Sequence, residues 1–308
     1  MSGPIFILGA HRSGTTWLHQ LLAETGQVDF LMAHHVFSYE RFPQAPPSQG
    51  AGQSQGYSVL AAELRRQGIV QRGFDQVRIT PEAPEEYNFV LSNAGMGWQV
   101  SAGNLGLLLE LCARIRQAPD GDPDRPLVLK SPWDYANFVT LKAALPASRY
   151  IFVHRRPERV IESVLRTSRT LLRERHPYLA LLSREYERLF SRPAHLGALR
   201  LLTARRFGTG VGVVTRLVAS ANRYFVRHVT GLPAADVLSL RYEDLYADPL
   251  PNRARCLAFC GLDPQRLPAA FTPPAPSTAP LSTEVRRRRA MIERSSAAYM
   301  RLLGYPPG

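Results

Sequence analysis

Lysine is almost missing from this chain of 308 residues: of its 38 basic residues, only Lys130 and Lys142 are lysine. The others are arginine, and a bias toward arginine codons is the plain account of that preference. A lysine kept in such a chain still draws attention, because a compact ammonium does chemistry that a planar guanidinium does poorly. Cysteine is also scarce. Cys112, Cys256 and Cys260 are too few and too irregularly spaced for a disulfide framework, and none stands at metal-ligand spacing with histidine. A reducing compartment, and so a cytoplasmic location, is expected. No apolar run approaches the length that spans a bilayer, so stable membrane insertion is not expected. The short apolar stretch from Pro4 to Ala10 has no charged leader before it and no small-residue cleavage site after it, and reads as a strand. Acidic residues are outnumbered, 25 against 38, which leaves a formal charge of +13. Such a balance attracts anions, whether nucleic acid, anionic lipid or a small polyanionic cofactor, and charge alone does not choose among them.

What is present is a regular alternation of short apolar runs and helical spacing. PIFILG is followed by a glycine-containing turn and then by TTWLHQLLAETG, where Trp17, Leu18, Leu21 and Leu22 recur at helical intervals. Further strand-length runs occur at Leu127–Leu129, Tyr150–Val153 and Val237–Leu240, with helical stretches at Asp134–Leu145 and Glu158–His228. Buried strands alternating with helices predict an α/β three-layer sandwich, a central parallel sheet with helices on both faces. One domain over residues 1–308 is the simplest account. Two stretches break the pattern: the polar, glycine-rich segment 43–56, expected as a mobile loop, and the proline-dense connection 264–282 before a last helix at Glu284–Leu303.

The sequence Gly9-Ala10-His11-Arg12-Ser13-Gly14-Thr15-Thr16 has the spacing of a phosphate-binding loop, set between a strand and a helix as that motif requires. Glycines let the backbone amides turn inward, and the helix N-terminus adds positive potential. A nucleotide-hydrolysing loop would carry lysine at Thr15. Here the charge lies three positions earlier, at Arg12, which points away from hydrolysis of nucleoside triphosphates.

HRSGTTW resembles the donor loop of the PAPS-dependent sulfotransferases, commonly PRSGTT or PKSGTTW, with His11 in place of proline. PAPS is 3'-phosphoadenosine 5'-phosphosulfate, and PAP is what remains after sulfuryl transfer. The resemblance implies a P-loop-like fold and assigns Arg12, Ser13, Gly14, Thr15 and Thr16 to the 5'-phosphosulfate. Trp17 falls where cytosolic members stack the adenine; plain core is the competing reading. YIFVHRRPERVIESV is similar to the family's 3'-phosphate motif. Arg155 at a strand end, Pro157 at a helix start and Ser163 two turns on can face one phosphate, and register does not exclude Arg156. LSLRYEDLYADP is similar to the family's YEDM stretch, which puts Tyr242 near the adenine, and the arginines 286–289 lie near where some members reach the 3'-phosphate. Lys130 in VLKSPWDY aligns with the lysine that stabilises the departing PAP.

The general base stays open. Cytosolic members place a histidine two residues beyond that lysine, where this chain has Pro132. His34 and His35, in FLMAHHVFSYE, stand first, because histidine titrates near neutrality; Glu40 lies slightly beyond them. Glu86, of the pair Glu85–Glu86, stands second, against the plain reading of glutamates in a first helical turn. Phe37, Tyr39, Tyr57, Phe74, Phe89 and Trp98 are candidate walls of an acceptor pocket, or core. The expected reaction moves the sulfuryl group of PAPS onto a hydroxyl, less readily an amine, of a small-molecule, lipid or carbohydrate acceptor. No metal is required by that scheme. Nucleic acid is not an expected partner, and the sequence leaves a homodimer open. The rival readings are a P-loop kinase or nucleotide-binding protein, and a non-catalytic basic binding module.

Overall fold

Ile5–Leu8 forms β1 at the centre of a five-stranded sheet, completely buried on both sides. Around it, in a computed structural model that describes residues 3–39, 55–73, 77–118, 121–122, 124–205, 208–266 and 279–306, lie β2 (Asp29–Phe30), β3 (Leu127–Ser131), β4 (Arg149–His154) and β5 (Val237–Arg241). All neighbours are parallel, in the order β2-β3-β1-β4-β5. Parallel strands need crossover connections, and helices supply them: α1 (Thr15–Glu24), α2 (Ala33–Phe37), α3 (Gln55–Arg66), α4 (Asn88–Asn93), α5 (Leu105–Arg116), α6 (Phe138–Ala144), α7 (Pro157–Arg173), α8 (Pro177–Leu182), α9 (Arg184–Phe190), α10 (Pro193–Thr203) and α11 (Thr209–His228). After β5 come α12 (Tyr242–Ala247), α13 (Pro249–Cys260), α14 (Thr283–Arg286), α15 (Arg289–Ser295) and α16 (Ala297–Leu302).

The period-two alternation of side chains divides the core into two layers. Phe6, Leu8, Leu127, Leu129, Tyr150 and Phe152 point to one face, where α2 to α5, α8, α11 and α16 cover them. Ile5, Ile7, Val128, Ile151, Val153 and Leu240 point to the other, beneath α1, α12 and α13. The three-layer α/β architecture is therefore as expected. A smaller cluster of Val160, Ile161, Leu165, Val211, Val285 and Ile292 ties α7 to α11, α14 and α15.

Several elements differ from the sequence reading. The helix expected at Asp134–Leu145 is a 3-10 turn, Trp133–Ala136, followed after Asn137 by α6. The last helix is three short ones, interrupted at Arg287–Arg288 and at Ser296. Of the loop expected at 43–56, Gln55 and Gly56 open α3 and the rest lies outside the described residues. Within 264–282, Pro264–Arg266 is a 3-10 turn and 267–278 lies outside the described residues, as do Glu40 and Phe74. Among the described residues, no helix is long and apolar enough to cross a membrane.

Candidate active site

The C-terminal ends of β1, β3, β4 and β5 open into one cleft of about 1560 Å³. Each strand delivers a residue to it within three positions of its end: His11 after β1, Pro132 and Trp133 after β3, Arg155 after β4 and Tyr242 after β5. Ligands of open parallel sheets sit at this edge, because the strands stop there and the helix N-termini begin.

The loop between β1 and α1 is held in an unusual backbone. Arg12 has φ 71°, and is the one non-glycine residue with positive φ among those described. Gly14 has φ 108°, and a Cβ there would stand 2.3 Å from the Tyr242 ring. Glycine is thus needed twice over, for the left-handed backbone and for the close approach of an aromatic ring. No side chain caps α1 at Gly14, which leaves its first-turn amides to a ligand. Ser13 Oγ is buried and has no hydrogen-bond partner among the described residues. Amides, an orphaned hydroxyl and a space too tight for a Cβ suit a compact anion.

The second half of the site is joined to the first. Arg155 donates from Nη1 to the backbone oxygen of Arg12 at 3.0 Å, and Arg12 donates from Nε to Ser163 Oγ at 3.3 Å. The Arg155 guanidinium stands 4.6 Å from the centre of the Tyr242 ring. Burial pulls that guanidinium below its ordinary pKa and pushes the Tyr242 phenol up. Pro157 starts α7, and Ser163 faces the cleft two turns later. The loop, Arg155, Ser163 and Tyr242 therefore come together. Trp17 lines the cleft while packing in the α1-side core, 6% exposed. The arginines 286–289 do not line the cleft. Arg289 pairs with Glu293 at 2.7 Å, and Arg288 donates to the backbone oxygen of Gly208. Arg156 also does not line it, and stands 3.5 Å from Glu158.

Lys130 is fully buried, on the face of β3 that α1 covers. Its ammonium donates to Thr16 Oγ1 at 3.0 Å and to Glu86 Oε1 at 2.8 Å. Glu86 continues the sheet edge where the two-residue strand β2 stops, through an isolated parallel bridge to Lys130. Burial pushes the Glu86 carboxyl up most strongly, but the charge and hydrogen bond of Lys130 together with His11 and Arg72 outweigh it, and the carboxyl lies below the ordinary glutamate value. Glu86 is therefore not a helix-dipole partner in a first turn, since α4 begins two residues later.

A residue not singled out by sequence holds this pair in place. Asp134 is completely buried and accepts from Tyr87 Oη (2.6 Å), Asn88 Nδ2 (3.0 Å), Ser131 Oγ (3.2 Å), Asn137 Nδ2 (2.7 Å) and the Val100 amide (2.9 Å). Tyr87 and Asn88 follow Glu86, and Ser131 follows Lys130, so one carboxylate fixes both arms of the pair. Ionised acceptors make the stronger hydrogen bonds. Glu85, by contrast, is committed to Arg72 at 2.5 Å and Tyr178 at 2.6 Å.

His34 and His35 are not brought to the site. Both are buried, and neither lines the cleft. His35 Nδ1 accepts from the Met32 amide at 3.2 Å, capping α2, and His34 Nδ1 lies 3.2 Å from Pro81 O. Burial, with the neighbouring His34, lowers the His35 pKa to about 3. Of the six candidate acceptor aromatics, Phe89 and Trp98 line the cleft. Trp98 stacks on Trp133 at 4.7 Å, with Phe89 edge-on at 5.7 Å and His11 edge-on to Trp133 at 4.5 Å. Phe37 and Tyr39 pack against the core, and Tyr57 lies against His34. Trp133, three residues after Lys130, was readable as a neighbour of that lysine but carried no motif of its own.

Comparison with solved structures finds the same fold at low identity. The sulfotransferase STF9 of Mycobacterium avium matches with TM-score 0.59 and 14% identity, over 100% of this chain and 69% of that one. The sulfotransferase STF1 of Mycobacterium tuberculosis H37Rv matches with TM-score 0.53 and 20% identity, over 96% and 77%. No curated protein matches the sequence. The model of the sulfotransferase family matches residues 4–205, a stretch that takes in the Gly9–Thr16 loop, Glu86, Lys130, Arg155 and Ser163, and the chain belongs to that family.

Proposed function

We propose that this chain transfers the sulfuryl group of PAPS to a hydroxyl of a small-molecule, lipid or carbohydrate acceptor and releases PAP. The observation that carries this reading is the junction Arg155–Arg12–Ser163. It brings two guanidiniums together after adjacent strands, beside a buried ammonium, which supports a ligand with two phosphates.

In this reading Arg12, Ser13, Gly14, Thr15 and Thr16 hold the 5'-phosphosulfate and Arg155 with Ser163 holds the 3'-phosphate. Trp17 and Tyr242 bound the nucleoside. Lys130 shares its ammonium between Glu86 and the phosphate oxygen that leaves, where charge develops in the transition state. Glu86 takes the proton of the acceptor hydroxyl as the oxygen–sulfur bond forms and the bond from sulfur to the 5'-phosphate oxygen breaks. It is preferred over His34 and His35 because it lines the cleft, contacts Lys130 and is ionised at neutral pH. The acceptor rests against Phe89, Trp98 and Trp133.

Thermal shift with PAP, ADP and ATP with magnesium tests the donor assignment. PAP is expected to stabilise the chain more than ADP does, and Arg155→Ala to abolish that difference. Equal stabilisation by ADP would remove the 3'-phosphate site, and preferential stabilisation by ATP with magnesium would favour a kinase. Strong salt dependence without any response to PAP would favour a basic binding module.

A further inference from the structure

We infer that the acceptor carries an anionic group, a carboxylate, sulfate or phosphate, held by Arg188 and Arg192 at the outer end of the cleft. The inference rests on the sulfotransferase reading above and names the substrate class for it.

The cleft is larger than the donor needs. Sites for drug-sized ligands enclose about 300–1,000 Å³, and this one has about 1560 Å³. Trp98 donates from Nε1 to Glu185 Oε2 at 2.5 Å, and Ser92 Oγ donates to the same oxygen at 3.2 Å, which seats the start of α9 against α4. From Glu185 the lining continues along one side of α9 to Arg188 and Leu189, three and four residues on, and then to Arg192 just past its end. That spacing sets Arg188 and Arg192 about 5–10 Å along the course of α9 from Glu185.

Position on the cleft, together with the lack of a partner, singles these arginines out. Arg66, Arg114, Arg169, Arg175, Arg241 and Arg289 each have a carboxylate partner. Arg188 and Arg192 have no ion-pair or side-chain hydrogen-bond partner among the described residues, and neither have Arg78 and Arg166 on the same cleft. Three of the four carboxylates on the cleft are already engaged. Glu86 faces Lys130, Glu85 faces Arg72, and Glu185 is held by Trp98 and Ser92. Unpaired guanidiniums in a concave site focus positive potential and offer the fork that carboxylates and oxyanions of sulfur or phosphorus fit. Leu189 and Leu199 between and beyond them supply apolar contact for the body of the same molecule.

Binding of naphthol and hydroxynaphthalene sulfonate to the full chain, followed by tryptophan fluorescence with and without PAP, tests this. The two probes share the ring and the hydroxyl and differ in the anion. The sulfonate is expected to bind at least tenfold more tightly, and Arg188→Gln with Arg192→Gln to remove that advantage while leaving PAP affinity unchanged. Equal affinity of the two probes, no binding of the sulfonate, or an advantage that survives the double substitution would overturn the inference. Failure of PAP to bind would instead remove the donor reading, since the preference for the anion is also read without PAP.

Discussion

Lys130 is where a single side chain carries the most consequence. Its substitution by alanine removes the ammonium and leaves Glu86 as a partly buried carboxylate without its partner, 17% exposed. The turnover rate should fall by roughly two to three orders of magnitude, since one preorganised group facing developing charge is worth about that much. Lys130→Arg should not rescue it, because a planar fork does not fit between Thr16 and Glu86 as a point charge does. Single-turnover sulfuryl transfer from labelled PAPS would measure both, and a rate within threefold of the parent would refute the role. The sequence made Lys130 visible by rarity and motif together. It ranked Glu86 only second, because the contact that brings Glu86 to Lys130 joins residues 44 apart and leaves no local signal. His34 and His35 failed for the same reason in reverse: a plausible distance along the chain did not become a distance in space, because the Met32 amide and Pro81 fix both rings elsewhere.

At the level of elements, the 3-10 turn Trp133–Ala136 and α4 behave as one unit through Asp134. Asp134→Asn keeps the shape but replaces two good acceptors by one acceptor and a donor aimed at other donors. A loss of about 2–3 kcal/mol is expected, in line with hydrogen bonds to a charged group, and chemical denaturation would measure it. A purely structural role would stop there. A positioning role adds a lower kcat with an unchanged KM for PAPS, because Arg12, Arg155 and Ser163 lie on other elements. Unchanged kcat in the folded variant would limit Asp134 to stability. This turn shows what periodicity misses. The run from Asp134 to Leu145 has helical spacing, yet Asn137 gives its side chain to Asp134 and Val100 O, and the helix starts only afterwards. β1, β3, β4, β5 and α1 were legible because burial on the sheet demands continuous apolar runs, whereas the two-residue β2 left no such run and the stretch read as helical from Glu158 to His228 is five helices, α7 to α11. The breaks in the C-terminal helices were not, since their polar faces follow no simple repeat.

For the molecule as a whole, acid should be the effective denaturant. His19, His35 and His154 are buried, and burial lowers each to a pKa of about 3, with the Lys130 charge adding to the effect on His19. The unfolded chain takes up these protons near the ordinary histidine value of 6.5, and the folded chain refuses them. Their contribution to stability is therefore complete above pH 6.5 and is lost as pH falls toward 3. Three such groups give a slope of roughly 4 kcal/mol per pH unit within that window. Melting temperature should drop steeply between pH 6.5 and 5, and His19→Phe should make the drop about one third shallower. An unchanged melting temperature over that interval would contradict the buried neutral histidines.

The pairing of β1 with β4 has one more consequence. Arg12 and Arg155 each follow the end of a strand, and those strands are locked in register, Leu8 beside Phe152. Neighbouring strands lie about 4.8 Å apart, a spacing set by backbone hydrogen bonds and insensitive to side-chain changes. If Arg12 and Arg155 hold the two phosphates as proposed above, they are the jaws of a gauge set by that spacing. A ligand that touches both is measured for the separation of its own charges before any chemistry starts, and one whose second phosphate sits on a different ribose oxygen fails that measurement even with the same net charge.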